Sequence, residues 1–172
     1  MKRPIRIEGN IAYVPLTKGY EAVIDAADVP LVGDFNWTAT VALRPDGSIR
    51  SVYAKRSMKI GAQSQTIYLH RAIGGTDDAP EVDHRDGNGL NNRRSNLRPA
   101  TRGQNMHNSR LRSDSKSRLK GASFHKARGK WQSQIKVNGK NRGLGLFNCP
   151  TAAHVAYIKA SRALHGEFGR IA

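Results

Sequence analysis

The sequence predicts an α+β protein built from three stretches. Residues 1–67 form a β-rich N-terminal part, and residues 68–110 run strand, loop, strand, helix. Beyond a basic linker at 111–118, residues 119–172 give three strands and one helix. Three observations predict this. Short apolar-alternating runs bounded by Gly, Pro, Asn and Asp dominate the first seventy residues. Thr101 is followed three residues later by Gln104, the pattern of a capped helix start. Asn138-Gly139 separates two strand-like runs, and an Ala-rich helical pattern follows at 151–166.

In the N-terminal part, Ile5, Ile7, Ile11 and Tyr13 are the expected inward positions of short strands. "DAADVPLVGDF" (25–35) holds one short helix starting near Asp25. "RPDGS" (44–48) is the turn of a hairpin between "NWTATVA" and "IRSVYAK", and "QTIYLH" is a further strand ending at His70. Next come "EVDH" and "NLRP", two short extended pieces around the turn-rich "RDGNGLNN". The capped "TRGQNMHNSRL" then carries Asn105 in its first turns. "RLRSDSKSRL" (110–119) has no periodicity and reads as a linker. "KGASFHK", "GKWQSQIKV" and "KNRGLGLF" are three strands. The helix after them places Ala153, Ala156, Tyr157, Ala160 and Leu164 on one face.

Charge is distributed unevenly. The net charge is +3 over residues 1–60, zero over 61–100 and +13 over 101–172, for a total of +16. A neutral middle that retains acids beside a strongly basic end suggests a cation site next to a polyanion site, with nucleic acid the expected polyanion. Cys149 is the single cysteine, which excludes an internal disulfide and a multi-cysteine zinc site and fits a reducing compartment. No apolar run reaches the ~20 residues of a membrane span, and "MKRPIRIEGN" has no apolar stretch behind it. The expectation is a cytoplasmic protein, in a bacterium or a phage-infected cell, without a membrane partner.

The densest chemistry lies in "EVDHRDGNGLNNRRSNLRPATRGQN" (81–105). Hydrolysing a phosphodiester requires an activated nucleophile and neutralisation of the charge that develops on phosphorus and on the leaving oxygen. A neutral histidine can activate water near pH 7, and a divalent cation can meet the other two needs. Mg²⁺ takes oxygen ligands, often only one or two of them from protein. Asp83 offers a carboxylate and Asn105 an amide oxygen; Asn108, one turn on, is a rival to Asn105. On a regular strand Asp83 and His84 would point to opposite faces, so a local distortion is expected. Asp86 does not open an EF-hand loop, because Asn91 and Leu97 stand where Gly and Glu are required.

"DH…DGNGLNNRRSNLR…TRGQN", together with "YLHR" at 68–71, resembles the HNH nuclease family in its His-Asn-Asn variant, the type found in phage and intron homing endonucleases. The resemblance implies a ββα-metal (His-Me finger) nuclease core. In it His84 would be the general base, Asn96 the asparagine that holds the loop and aims the histidine, and Asp83 and Asn105 the metal ligands. Asparagine rather than histidine at the third motif position implies Mg²⁺, with Mn²⁺ possible, and argues against zinc. His70 and Arg71 match the family's "LHR" segment, implying phosphate contact or support of the histidine. No catalytic role is expected of His107, His125, His154 or His165.

In "KWQSQIKV", alternation puts Lys130, Gln132, Gln134 and Lys136 on one face, a basic, amide-bearing surface suited to a DNA groove. Trp131, Ser133, Ile135 and Val137 lie on the other. Residues 119–172 also resemble the plant ethylene-response-factor (APETALA-two type) DNA-binding domain through "LKGASFHKARGKWQSQIKV", "LGLF" and "AAHVAYIKAS…GEFGRI". By that resemblance Lys120, Ser123, Arg128, Gln134, Lys136 and Arg142 occupy DNA-contact positions. Ser123 stands where an arginine is usual, so the plant domain's target does not carry over. The expected whole is a site-specific, homing-type endonuclease acting as a monomer on double-stranded DNA. The alternatives are a non-catalytic DNA-binding regulator and an RNA-binding structural protein.

Overall fold

The computed structural model describes residues 2–75, 80–112 and 114–171. It is a mixed α+β chain of small antiparallel sheets and few helices. It divides into two compact units, Met1–Ala100 and Thr101–Ala172. Among the described residues no helix is long and apolar enough to cross a membrane.

The first unit opens with β1 (Arg6–Glu8), β2 (Ile11–Pro15) and β3 (Glu21–Asp25), an antiparallel sheet with β2 central. Its inward parity is the reverse of the expected one. Ala12, Val14, Ala22 and Ile24 are buried, Ile11 and Tyr13 are half-buried, and Ile7 is 56% exposed. Alternation shows that Ile11 and Tyr13 share a face, but not which face meets the core. Here the Arg6 guanidinium lies 4.0 Å over the Tyr13 ring and covers the outer face. Ile5 does pack on the core.

A 3-10 turn at 26–28 leads into α1 (Val29–Val32), in the segment where a short helix was expected. The buried Trp37 indole N–H donates to Val32 O at 3.1 Å. β4 (Thr38–Leu43), β5 (Ile49–Ile60) and β6 (Gln63–Tyr68) form a meander. Its first turn is the expected "RPDGS", closed by Arg44 N–H to Ser48 O at 2.8 Å.

The strand expected to end at His70 ends at Tyr68, and His70 lies in the first turn of α2 (Leu69–Gly74). Leu69 and Ile73, four apart, are both buried, so this stretch follows the helical period. β7 (Glu81–His84) and β8 (Leu97–Ala100) pair antiparallel, with Asp83 opposite Arg98 and His84 opposite Leu97. One apolar cluster joins the elements from β2 to β8, from Ala12 and Ile24 through Trp37, Ala54 and Leu69 to Val82 and Leu97.

The second unit begins with α3 (Arg102–His107). Thr101 Oγ1 accepts from Gln104 N–H, and the Gln104 side chain accepts from Thr101 N–H, which is the capping box read from sequence. β9 (Ala122–His125), β10 (Lys130–Val137) and β11 (Lys140–Phe147) form an antiparallel sheet with β10 central. Asn138 (φ 49°) and Gly139 (φ 78°) make the two-residue turn.

α4 (Pro150–His165) packs on this sheet, and Cys149 Sγ accepts Ala152 N–H at 3.4 Å as its cap. Its buried stripe is Ala153, Tyr157 and Ser161, while Leu164, expected inward, is 43% exposed. Two glycines account for this rotation. Gly121, at φ +76°, lies against the Tyr157 ring, where a Cβ would come within 2.1 Å. Gly169 passes so close to Ser161 that a Cβ would sit 2.4 Å from its Oγ.

Candidate active site

The β7–β8 hairpin carries the expected Asp-His pair at the end of β7. Both residues are buried, Asp83 at 3% and His84 at 5% exposure. Asp83 meets its cross-strand neighbour Arg98, whose Nε (2.9 Å) and Nη2 (2.7 Å) both donate to Asp83 Oδ2. Arg98 is itself 4% exposed, so this is a buried, charge-assisted pair. It fixes the carboxylate in one orientation. Sequence reasoning missed Arg98 because its role depends on strand register.

His84 Nε2 lies 3.2 Å from Asn92 Oδ1. The Asn92 amide cannot be reversed without losing its second bond, since Nδ2 donates to Leu90 O at 3.1 Å. The oxygen therefore faces the ring, and an oxygen acceptor requires the proton on Nε2. That places the lone pair of the neutral imidazole on Nδ1. Burial lowers the His84 pKa below its usual value, against the opposing pull of Asn92, Asp86 and Asp83. The ring is thus neutral at pH 7, as a general base must be.

Around it lie other rings. His70 is 5.1 Å away, centroid to centroid, and Tyr53 is 5.8 Å away. His70 stacks on Tyr68, and burial holds its pKa down at about 3. His70 is thus edge-on to the His84 ring. Arg71 is exposed, with its guanidinium bonded to Pro80 O.

The loop between β7 and β8 is held by polar side chains. Asn96 Nδ2 donates to Asp86 Oδ1 (3.0 Å) and Asn91 O (2.7 Å), and its Oδ1 accepts Asp86 N–H (3.1 Å). Burial alone would raise the Asp86 pKa. The N–H of Asn88 and the amides of Asn91 and Asn96 outweigh it, so the carboxyl stays below its usual range. Asn96 therefore closes the loop, and Asn92 (0% exposed) touches the histidine.

The far side of the loop is tied to the N-terminal sheet. Val23 N–H donates to Leu90 O and Asn92 N–H to Val23 O, at 2.8 and 2.7 Å. Arg93 and the Arg94 backbone grip Asp25, and the Arg94 side chain grips Asp28. Gly89 presses on β5, where a Cβ would stand 2.4 Å from Val52 O.

Asn105 lies in α3 of the second unit, half-buried, with its backbone N–H on Thr101 O. Its rival Asn108 is the C-cap of α3 and is buried. Among the described residues no three His, Cys, Asp or Glu side chains gather as a metal cage.

On the second unit's sheet the expected alternation holds. Ser133 and Ile135 are buried, Lys130, Gln134 and Lys136 are exposed, and Gln132 is half-buried. Gln132 donates to Ser123 Oγ (3.1 Å) and Gln134 to Gln132 Oε1 (3.2 Å), a linked polar row on the outer face. Arg128 is exposed in the β9–β10 connection. Arg142 is the register partner of Ile135, so it belongs to the other side of the sheet from Gln134 and Lys136. Lys120 Nζ donates to His107 O and Ser109 O, and burial lowers its pKa to about 8.

Residues 69–107 match the model of a family described as HNH endonuclease, and the match takes in Asp83, His84, Asn92, Asn96, Arg98 and Asn105. This stretch is thereby an HNH endonuclease-type domain, which supports a nuclease acting on DNA and, as such nucleases generally do, using a divalent metal. Over 90 residues the chain is 36% identical to Protein 3.8 of Escherichia phage T7, spanning 52% of this chain and 73% of that protein, and it belongs to the same family. No solved structure matches it.

Proposed function

We propose that the chain is a metal-dependent, homing-type DNA endonuclease that hydrolyses phosphodiester bonds with His84 as general base. The observation that carries this reading is the buried His84, neutral and fixed in one tautomer by Asn92, next to an Asp83 fixed by Arg98. Both lie within the residues matched to the endonuclease family.

The donors fit a hard cation. They are a carboxylate and an amide oxygen, so water and substrate phosphate would complete the shell, as Mg²⁺ prefers. By the resemblance to the nuclease family, Asp83 and Asn105 would be the residues that hold the ion. When bound, it would neutralise charge on the phosphate and stabilise the leaving oxygen. His84 takes a proton from water at Nδ1, and the positive charge then on the ring is spread toward Asn92 Oδ1 through the Nε2–H bond. Asn96 keeps the loop closed so that Asn92 stays in place. Residues 119–172 act as the reader, with Lys130, Gln132, Gln134 and Lys136 presented to a groove as in the ethylene-response-factor domain, and the protein acts on double-stranded DNA as a monomer.

The test is cleavage of supercoiled plasmid and phage DNA by wild type and His84→Ala, with Mg²⁺, Mn²⁺ or EDTA. Metal-dependent cutting by wild type and none by the variant is expected. Metal-independent cutting, or equal cutting by the variant, overturns the assignment. DNA binding without cutting under every condition would make the chain a regulator.

A further inference from the structure

The β5–β6 ribbon runs past the sheet that anchors it. Beyond the pair Lys55–Tyr68 the two strands stay in register through Ser57–Thr66 and Lys59–Ser64 to Ile60–Gln63. From Ser57 to Thr66 every residue except the half-buried Met58 is exposed, so this end contributes nothing to the core. One face of it is continuous with the active site. Tyr53 and Tyr68 share that face, and their rings pack on His84 and His70. Farther out the same face carries only Lys55, Ser57, Thr66, Lys59 and Ser64.

These are ammonium and hydroxyl groups, the donors that bind phosphate. Neither lysine makes an ion pair among the described residues. No acid occurs from residue 47 to residue 76, whereas Arg50, Lys55, Arg56, Lys59 and Arg71 do.

Resting on the nuclease reading above, we infer that this ribbon face is a second DNA-binding element, a rail for the duplex backbone that starts at the catalytic histidine. Five residue steps at ~3.4 Å reach about 17 Å, and that covers about five base pairs beside the scissile phosphate. Double-stranded DNA is favoured because its major groove admits a two-stranded β-ribbon.

The experiment measures binding of a short duplex by full-length protein across a salt series, with a hydroxyl-radical footprint on the cleaved duplex. The variants are Lys55→Ala/Lys59→Ala and, as control, Lys2→Ala, whose ammonium pairs with Asp34. Each lost phosphate contact removes ~0.9 from the slope of log K against log salt. The double variant should therefore lose up to ~1.8 of slope and about five base pairs of protection on one side of the cut, while the control loses neither. Both lysines lie off the core, so the double variant should melt as wild type does. A slope and footprint equal to those of wild type, in protein that still cuts DNA with metal, overturn the rail and leave the nuclease intact. Wild-type protein that never cuts overturns the nuclease reading, while the slope comparison still decides whether the ribbon binds DNA.

Discussion

Replacing Asn92 tests the centre of the proposed site without touching the base itself. In Asn92→Ala the Nε2–H of buried His84 loses its acceptor, while Leu90 O keeps the Val23 N–H. A buried polar group left without its partner costs ~1–3 kcal/mol, and each kcal/mol moves the melting point of a unit this size by ~4–8 °C. The catalytic loss comes from releasing the tautomer, and its ceiling is the whole general-base contribution of ~10²–10⁴-fold. Asn92→Asp keeps an oxygen on Nε2–H but adds a charge that favours the imidazolium. Burial now holds the His84 pKa down, so the wild-type rate should rise with pH and level off below about 6.5. In Asn92→Asp that inflection should move up, with KM little changed. The assay is single-turnover cleavage from pH 5 to 9 beside thermal melts. A purely structural asparagine would lower the melt and leave the inflection in place; that result, or wild-type rates in Asn92→Ala, would refute the argument.

His84→Ala should lose at least ~10²-fold in cleavage and retain DNA affinity, read by gel shift. Asp83→Asn should abolish metal-dependent cleavage and lower stability by ~3–5 kcal/mol, because Arg98 is left buried without its counter-charge. Asp83→Leu/Arg98→Met should recover the melt and not the cleavage. Asn105→Asp should be milder than Asn105→Ala in titrations of activity against Mg²⁺, since it keeps an oxygen, and equal losses would move the role to Asn108. Folded His70 stays neutral down to about pH 3, so the unfolded chain binds more protons than the folded one between pH 6.5 and 3. Stability should fall as pH drops through that window, by up to ~1.4 kcal/mol per unit. Melts of His70→Phe should show a flatter acid limb.

Local signals were legible and tertiary ones were not. Thr101 with Gln104, Asn138-Gly139 and the alternation of "KWQSQIKV" each specify geometry within a few residues, and each forms as expected. Asp83 and His84 could be read as a pair because their chemistry is unusual at that spacing. The parity of β2 could not be read, because Ala12 and Val14 are inward only by virtue of what packs on the sheet. The turn of α4 that buries Ser161 instead of Leu164 depends on Gly121, distant in sequence, and on Gly169, which folds back on Ser161 after the helix has ended. Arg98 and Asn92 were hidden for the same reason. One depends on strand register. The other is one of several asparagines whose composition is identical and whose partners differ.

Those asparagines show why the segment is so rich in one residue type. A loop that must present a neutral, buried histidine cannot be filled with charges, which would shift its pKa, nor with apolar side chains, which would leave its turns unsatisfied. Asparagine supplies a donor and an acceptor without net charge. Asn88 accepts Leu90 N–H, Asn91 donates to Asp86, Asn96 closes the loop on Asp86 and Asn91, and Asn92 takes the histidine. The arginines sit on the opposite side of the loop, where Arg93 and Arg94 are neutralised by Asp25 and Asp28 of the N-terminal sheet and its following turn. The N-terminal residues thereby serve the site as its foundation. The loop's one large apolar side chain, Leu90, is half-buried against the core, and the rest of the support for His84 comes from β3 through Val23 and from β5 through Gly89.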